Sequence, residues 1–142
     1  MLLVTGCAIH SQRSPRPEAA AADVTAMLRS SAESWNRGDL DGFLDDYLDS
    51  PETTFVTGPG LIHGIAPIRE RYLRSYWKGG RPAQLLRFEQ LVVRPLGADY
   101  ALATGRYVLS DRETGAAGPS GNFSLVLRRT PAGWKIVHDH SS

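Results

Sequence analysis

The 142 residues contain one cysteine, Cys7, so no disulfide can form within the chain and the fold must stand on packing. Neither sign of charge is in excess: 16 Lys and Arg against 15 Asp and Glu leave a formal net charge of +1. Nucleic acid demands clustered cations, so this balance offers no case for it and the expected partner is a small organic ligand. No run is long and apolar enough to span a membrane. There is no internal repeat and no long low-complexity tract. What is present is ordinary for a globular chain, 42% hydrophobic residues in a length that suits one domain.

Around the cysteine, Leu3-Val4-Thr5-Gly6-Cys7 resembles a bacterial lipobox, in which the cysteine is lipidated. Met1 to Gly6 supply no charged n-region and fall short of the roughly 7 to 15 apolar residues of an export signal. Two readings stay open. Either the true start lies upstream and the protein is an exported lipoprotein anchored through Cys7, or the match is chance and the protein is cytoplasmic. Residues 1–18, with their Ser/Arg/Pro-rich end, read as a truncated lipoprotein signal and tether, and residues 19–142 as the folded domain.

Residues 19–35 read as a helix, because Val24, Met27, Leu28, Ser31 and Trp35 recur at spacings of three and four. Gly38 suits the left-handed position after it, and Asp39 the N-cap of a second short helix carrying Leu40, Phe43, Leu44, Tyr47 and Leu48. Residues 53–57 and 61–63 read as a small hairpin around Gly58-Pro59-Gly60. A third helix starts near Ala66-Pro67 and runs to Trp77 before Gly79-Gly80. Strands follow over 84–95, 100–110, 121–130 and 134–141, and their short links predict an antiparallel meander. Helices first and an antiparallel sheet after them make an α+β fold, with the helices on one face of the sheet.

Three stretches carry a family resemblance: Ser34-Trp35-Asn36-Arg37-Gly38-Asp39-Leu40-Asp41-Gly42, Gly64 with Ile68-Arg69, and Gly133-Trp134-Lys135-Ile136-Val137-His138-Asp139-His140-Ser141. Together they resemble the SnoaL-like, nuclear transport factor 2-like superfamily over residues 19–142. The last stretch is similar to the subgroup containing the calcium/calmodulin-dependent kinase II association domain. The resemblance implies a curved antiparallel sheet wrapped as a cone around about three N-terminal helices, with a pocket inside and a homodimer formed through the sheet. It implies no particular reaction, since one fold hosts many.

Matched residue by residue to ketosteroid isomerase, a member of the same superfamily, the catalytic tyrosine falls at Ser31, the general base near Thr57 and the protonated aspartate near Asn122. None of these can take a proton from carbon at neutral pH, which argues against steroid-type isomerisation. Matched to the association domain, a cavity arginine falls at Arg106 and a cavity tryptophan at Trp77, while two further arginines are replaced by Ser124 and Ser141. The resemblance therefore implies one guanidinium, an anchor for a single carboxylate or enolate. The alternative is that Arg106 merely pairs with an acid such as Asp139.

On a regular final strand Lys135, Val137, Asp139 and Ser141 share one face and Trp134, Ile136, His138 and His140 the other. If Ser141 lines the pocket, Asp139 does too, and it becomes the candidate acid/base group: burial raises its proton affinity and Arg106 opposes the rise. His63, His138, His140 and Asp139 raise the question of a metal site. Two histidines on an outer sheet face are more often structural, so neither metal nor cofactor is expected. Trp35, Tyr47, Phe55, Tyr72, Tyr76 and Trp77 pack as core by default, with Trp77, Trp35 and Tyr72 as candidates to line the pocket. Arg69, Arg71, Arg74 and Lys78 read as a solvated face.

Two functions stay open. One is binding or cofactor-independent acid/base catalysis in an apolar cone, of isomerase, cyclase or hydratase type, on a carboxylate or cyclic ketone. The other is a non-catalytic association module that uses the outer sheet face.

Overall fold

The computed structural model describes residues 16–58 and 60–142, so Cys7 and most of the expected tether lie outside the described residues. Pro17 and Glu18, assigned to the tether from sequence, already belong to the first helix, α1 (Pro17–Arg37), where a proline fits because the first turn has no use for its missing N–H. Val24, Leu28, Ser31 and Trp35 form its buried stripe. Gly38 ends it at φ 79°: the Gly38 N–H bonds the Trp35 carbonyl and the Asp39 N–H that of Ser34, each at 2.9 Å, a Schellman closure. A Cβ at Gly38 would stand 2.7 Å from that of Arg81, so the close approach also selects glycine.

Asp39 then caps α2 (Leu40–Leu44), its Oδ1 accepting from the Gly42 N–H at 2.8 Å. The hairpin β1 (Thr54–Thr57) and β2 (Gly60–His63) leads into α3 (Ile65–Tyr76). The meander is β3 (Gln84–Leu96), β4 (Tyr100–Asp111), β5 (Ala117–Thr130) and β6 (Gly133–Ser141). All six strands form one curved sheet in the order β2-β1-β6-β5-β4-β3. Its pairings are antiparallel except that of β1 with β6, which is parallel and sets Phe55 opposite Asp139 and Thr57 opposite Ser141.

The long arm of the sheet is fastened to α1 by the Ser34–Gly42 stretch. Asn36 lies against β3 like a strand residue: its Nδ2 donates to the Leu86 carbonyl at 3.0 Å and its Oδ1 accepts from the Leu86 N–H at 2.8 Å. Next to it the Trp35 Nε1 donates to the Gln84 carbonyl at 2.9 Å. Both side chains occupy edge groups of β3 that would otherwise be left unpaired beneath the helix.

Three irregularities interrupt the ladders, one of them between Val108 and Ser110 where β4 pairs with β5; the other two re-aim the strands at the site. Pairing jumps from Glu89 to Val92 on β3, where Gln90 takes φ 53°. On β6, Leu127 pairs with Ile136 and Val126 with His138, which leaves Val137 without a partner. The expected strict alternation therefore breaks there. Trp134, Ile136 and Asp139 are all buried on the concave face, and Lys135 and Val137 do not share that face with Asp139.

Candidate functional site

Between the concave face and the helices lies a cavity of about 370 Å³. Its walls are mainly aromatic and aliphatic, with Trp35, Phe43, Phe55, Phe88 and Phe123 among them, and its polar groups are few. That combination suits a small, mostly apolar organic molecule.

Asp139 is the acidic group on this wall, and only 4% of its surface is exposed. Its Oδ2 accepts from the Tyr47 hydroxyl at 2.6 Å and its Oδ1 from the Ser141 hydroxyl at 2.8 Å. Burial pushes its pKa up from the ordinary 3.8 to about 6, against the pull of the two hydroxyls and the nearby His140. Tyr47 is held in place through its neighbours, because the Ile136 N–H bonds the Asp46 carbonyl and the Leu48 N–H bonds that of Ile136, each at 2.8 Å. The Tyr47 and Tyr72 hydroxyls stand 3.1 Å apart. Since Tyr47 has one proton and gives it to Asp139, Tyr72 is the donor between the two tyrosines. Burial, then the Asp139 charge, pushes both phenols well above their ordinary pKa, so both stay protonated at neutral pH.

Trp35, Tyr72 and Ser141, expected in the pocket, do line it. Arg106 does not. Along β4 the odd positions Ala101, Ala103, Tyr107 and Leu109 turn inward, so Arg106 stands exposed on the convex face, where it donates to the Ser120 hydroxyl. Among the described residues it pairs with no carboxylate, and an Arg106–Asp139 pair is barred by the sheet between them. Ser124, opposite Thr104 and His140, is likewise exposed and off the cavity wall. Trp77 is buried but serves packing: its ring stacks edge-on with Trp35 at 4.9 Å and its Nε1 donates to the Gly38 carbonyl at 3.1 Å.

Among the histidines, His138 meets the Thr54 hydroxyl at 2.7 Å through Nδ1, His63 is exposed on β2, and His140 is exposed and borders the cavity. Among the described residues no three His, Cys, Asp or Glu side chains are grouped to hold a metal ion.

The cation that does reach the cavity is Arg71, grouped from sequence with the solvated basic run. Its guanidinium lies over the Phe55 ring, 5.6 Å from the centroid, and Nη2 donates to the Thr57 hydroxyl at 3.1 Å. The usable signal was spacing: Arg71 is three positions after the buried Ile68 and adjacent to Tyr72, which puts it at the border of the inward face of α3. Tyr47 was also missed as a site residue, because helical periodicity marks a buried aromatic without revealing what its hydroxyl meets.

A profile described as the SnoaL-like domain matches residues 24–142. No match was found among curated proteins. Among solved structures, the chain is similar to a nuclear transport factor 2-like protein of unknown function from Shewanella oneidensis MR-1, with 26% identity, TM-score 0.74, and 85% of this chain and 97% of that one covered. It is also similar to a nuclear transport factor 2-like superfamily protein from Salmonella enterica serovar Typhimurium LT2, with 22% identity, TM-score 0.71 and coverage of 89% and 92%.

Proposed function

We propose that this chain, which belongs to the SnoaL-like domain family, binds one small, mostly apolar organic molecule in its cavity and moves a proton on it through Asp139. The observation that carries this reading is the buried carboxylate whose pKa is pushed up to about 6 on the wall of an apolar cavity. A base poised near the working pH combines a sufficient ionised fraction with the strength to remove a proton, and after accepting it can return it as an acid. The chemistry that fits is cofactor-independent proton transfer beside a carbonyl, the step shared by isomerases, cyclases and hydratases. Tyr47 and Ser141 fix both carboxylate oxygens in place, and the surrounding walls are mainly aromatic and aliphatic.

Hydrogen–deuterium exchange at the α-carbon tests this without knowledge of the natural substrate. With 2-tetralone, an enolisable ketone small enough for the cavity, the wild-type protein should accelerate exchange above buffer. Asp139→Asn should lower the protein-dependent rate by about 100-fold or more. Equal exchange by both proteins would overturn the role of Asp139.

A second reading, compatible with the first, rests on the convex face. Val92, Leu96 and Tyr100 are 62%, 44% and 42% exposed there, with Leu96 directly paired to Tyr100. We propose that two copies associate through this apolar patch. Sedimentation should show a dimer that Val92→Glu dissociates, and a wild-type monomer would refute it.

A further inference from the structure

We infer that the cavity selects a monoanion, an apolar molecule carrying one carboxylate, by holding that carboxylate at Arg71 and the neutral end near Asp139. The inference rests on the ligand-binding reading above and names the class of molecule bound.

Four observations carry it. First, Arg71 lines the cavity, and among the described residues it makes no ion pair, whereas Arg69 and Arg74 on the same helix pair with Asp41 and Glu70. A partly buried guanidinium without a carboxylate partner is rare, because its desolvation goes uncompensated. Second, its position is held: Nη2 donates to the Thr57 hydroxyl, Nη1 to that of Ser75 at 3.3 Å, and Cζ lies over the ring of Phe55, itself stacked on Tyr72 at 5.8 Å. A guanidinium so held loses little freedom when it takes up a carboxylate. Third, Arg71 bonds Thr57, next to the exposed Gly58, and is itself only partly buried, while Asp139 is buried. Fourth, the two charges impose a direction. An ionised Asp139 repels a second carboxylate and Arg71 attracts it, so a molecule with one anionic end enters in a single orientation and brings its neutral carbonyl or hydroxyl to the base.

The test is a matched pair of probes, 3-phenylpropanoate and its uncharged amide, titrated into the full chain by calorimetry at pH 7.5. Wild type should prefer the acid by about tenfold, the gain expected of one charge-assisted contact. Arg71→Gln should bring acid and amide to equal affinity, and Arg71→Lys should retain part of the preference. Equal affinities in wild type, or a preference surviving in Arg71→Gln, overturn the anion site and leave the cavity reading standing. If wild type binds neither probe nor neutral 2-tetralone, the cavity reading itself falls, and the anion site with it. Circular dichroism melts of the two variants separate lost recognition from lost folding.

Discussion

The Tyr47 hydroxyl lies 2.6 Å from the Asp139 carboxylate although 92 positions separate them in the chain. Two unrelated pieces of backbone meet to make this contact: the segment after α2 runs beside Ile136 as a single parallel bridge, and the β6 bulge turns Asp139 inward two residues after the unpaired Val137. With Tyr72 donating to Tyr47, the protons of both tyrosines are directed toward the carboxylate, so the ionised state of Asp139 organises the whole cluster.

Tyr47→Phe removes the shortest bond to Asp139 and leaves the Tyr72 hydroxyl without its acceptor. The Tyr47 bond holds the Asp139 pKa down, so its loss moves that pKa above 6. In the 2-tetralone exchange assay the rising limb of the pH profile should shift to higher pH. Because two buried polar groups lose a partner, unfolding by urea should also show a loss of roughly 1 to 3 kcal/mol. An unmoved pH limb would show that Asp139 does not set it.

Asp139 should make the fold less stable as pH rises. The folded state binds its proton more tightly, with a pKa of about 6 against 3.8, so its stabilising protonation is fully present below 3.8 and lost as pH climbs through 6. The gap corresponds to ~3 kcal/mol at pH 7 as an upper bound. Asp46 is shifted the same way, to about 6, chiefly by burial, and adds to the same window. Asp139→Asn keeps the shape, and Ser141 can accept from the new amide. Melting curves between pH 4 and 7.5 should therefore show a flatter dependence and a higher Tm than wild type near neutrality. A variant whose slope matches wild type would refute the assignment.

The helices, the Gly38 closure, the Asp39 cap and the order of the meander were legible because each depends on local periodicity or on one residue's backbone preference. The parallel pairing of β1 with β6 was not, since a four-residue strand carries no mark of a distant partner. Alternation on β6 placed Asp139 and Ser141 together correctly but assigned Ile136 to the wrong face. A bulge is invisible in a hydrophobic pattern until two partners are counted against each other. The transfer of Arg106 from a related cavity failed for the opposite reason: alternation along β4, with Tyr107 and Leu109 inward, already disfavours it. Arg71 carries the charge instead, from a helix rather than from the sheet.

Asn36 joins α1 to β3 through two bonds to the backbone of Leu86, and its own carbonyl accepts from Arg112 Nη1 at 2.9 Å. Asn36→Ala removes the side-chain pair and leaves the Leu86 N–H and carbonyl beneath the helix. At about 1 to 3 kcal/mol for each orphaned group, discounted where water enters, a loss of roughly 2 to 4 kcal/mol is expected. Asn36→Asp should recover little, because a carboxylate can accept from the Leu86 N–H but repels its carbonyl oxygen. Chemical denaturation of the three proteins gives the comparison, and an alanine variant within 0.5 kcal/mol of wild type would show that the join is unimportant.

Gly105 controls how far the Phe123 ring reaches into the cavity. The two residues are paired across β4 and β5, and a Cβ on Gly105 would lie 2.8 Å from Phe123 Cζ and 3.0 Å from Cε1. Phe123 lines the cavity and packs edge-on against Phe88 at 5.2 Å, so a displaced ring has Phe88 on one side and free space on the other. Gly105→Ala should therefore fold, with a packing cost of about 1 to 3 kcal/mol, while narrowing the ligand space. The consequence is selective by size: 2-tetralone should lose more affinity than acetone-sized ketones, and Asp139-dependent exchange of the small ketones should persist. Uniform loss across sizes would show instead that the substitution disturbs Asp139 rather than the volume of the cavity.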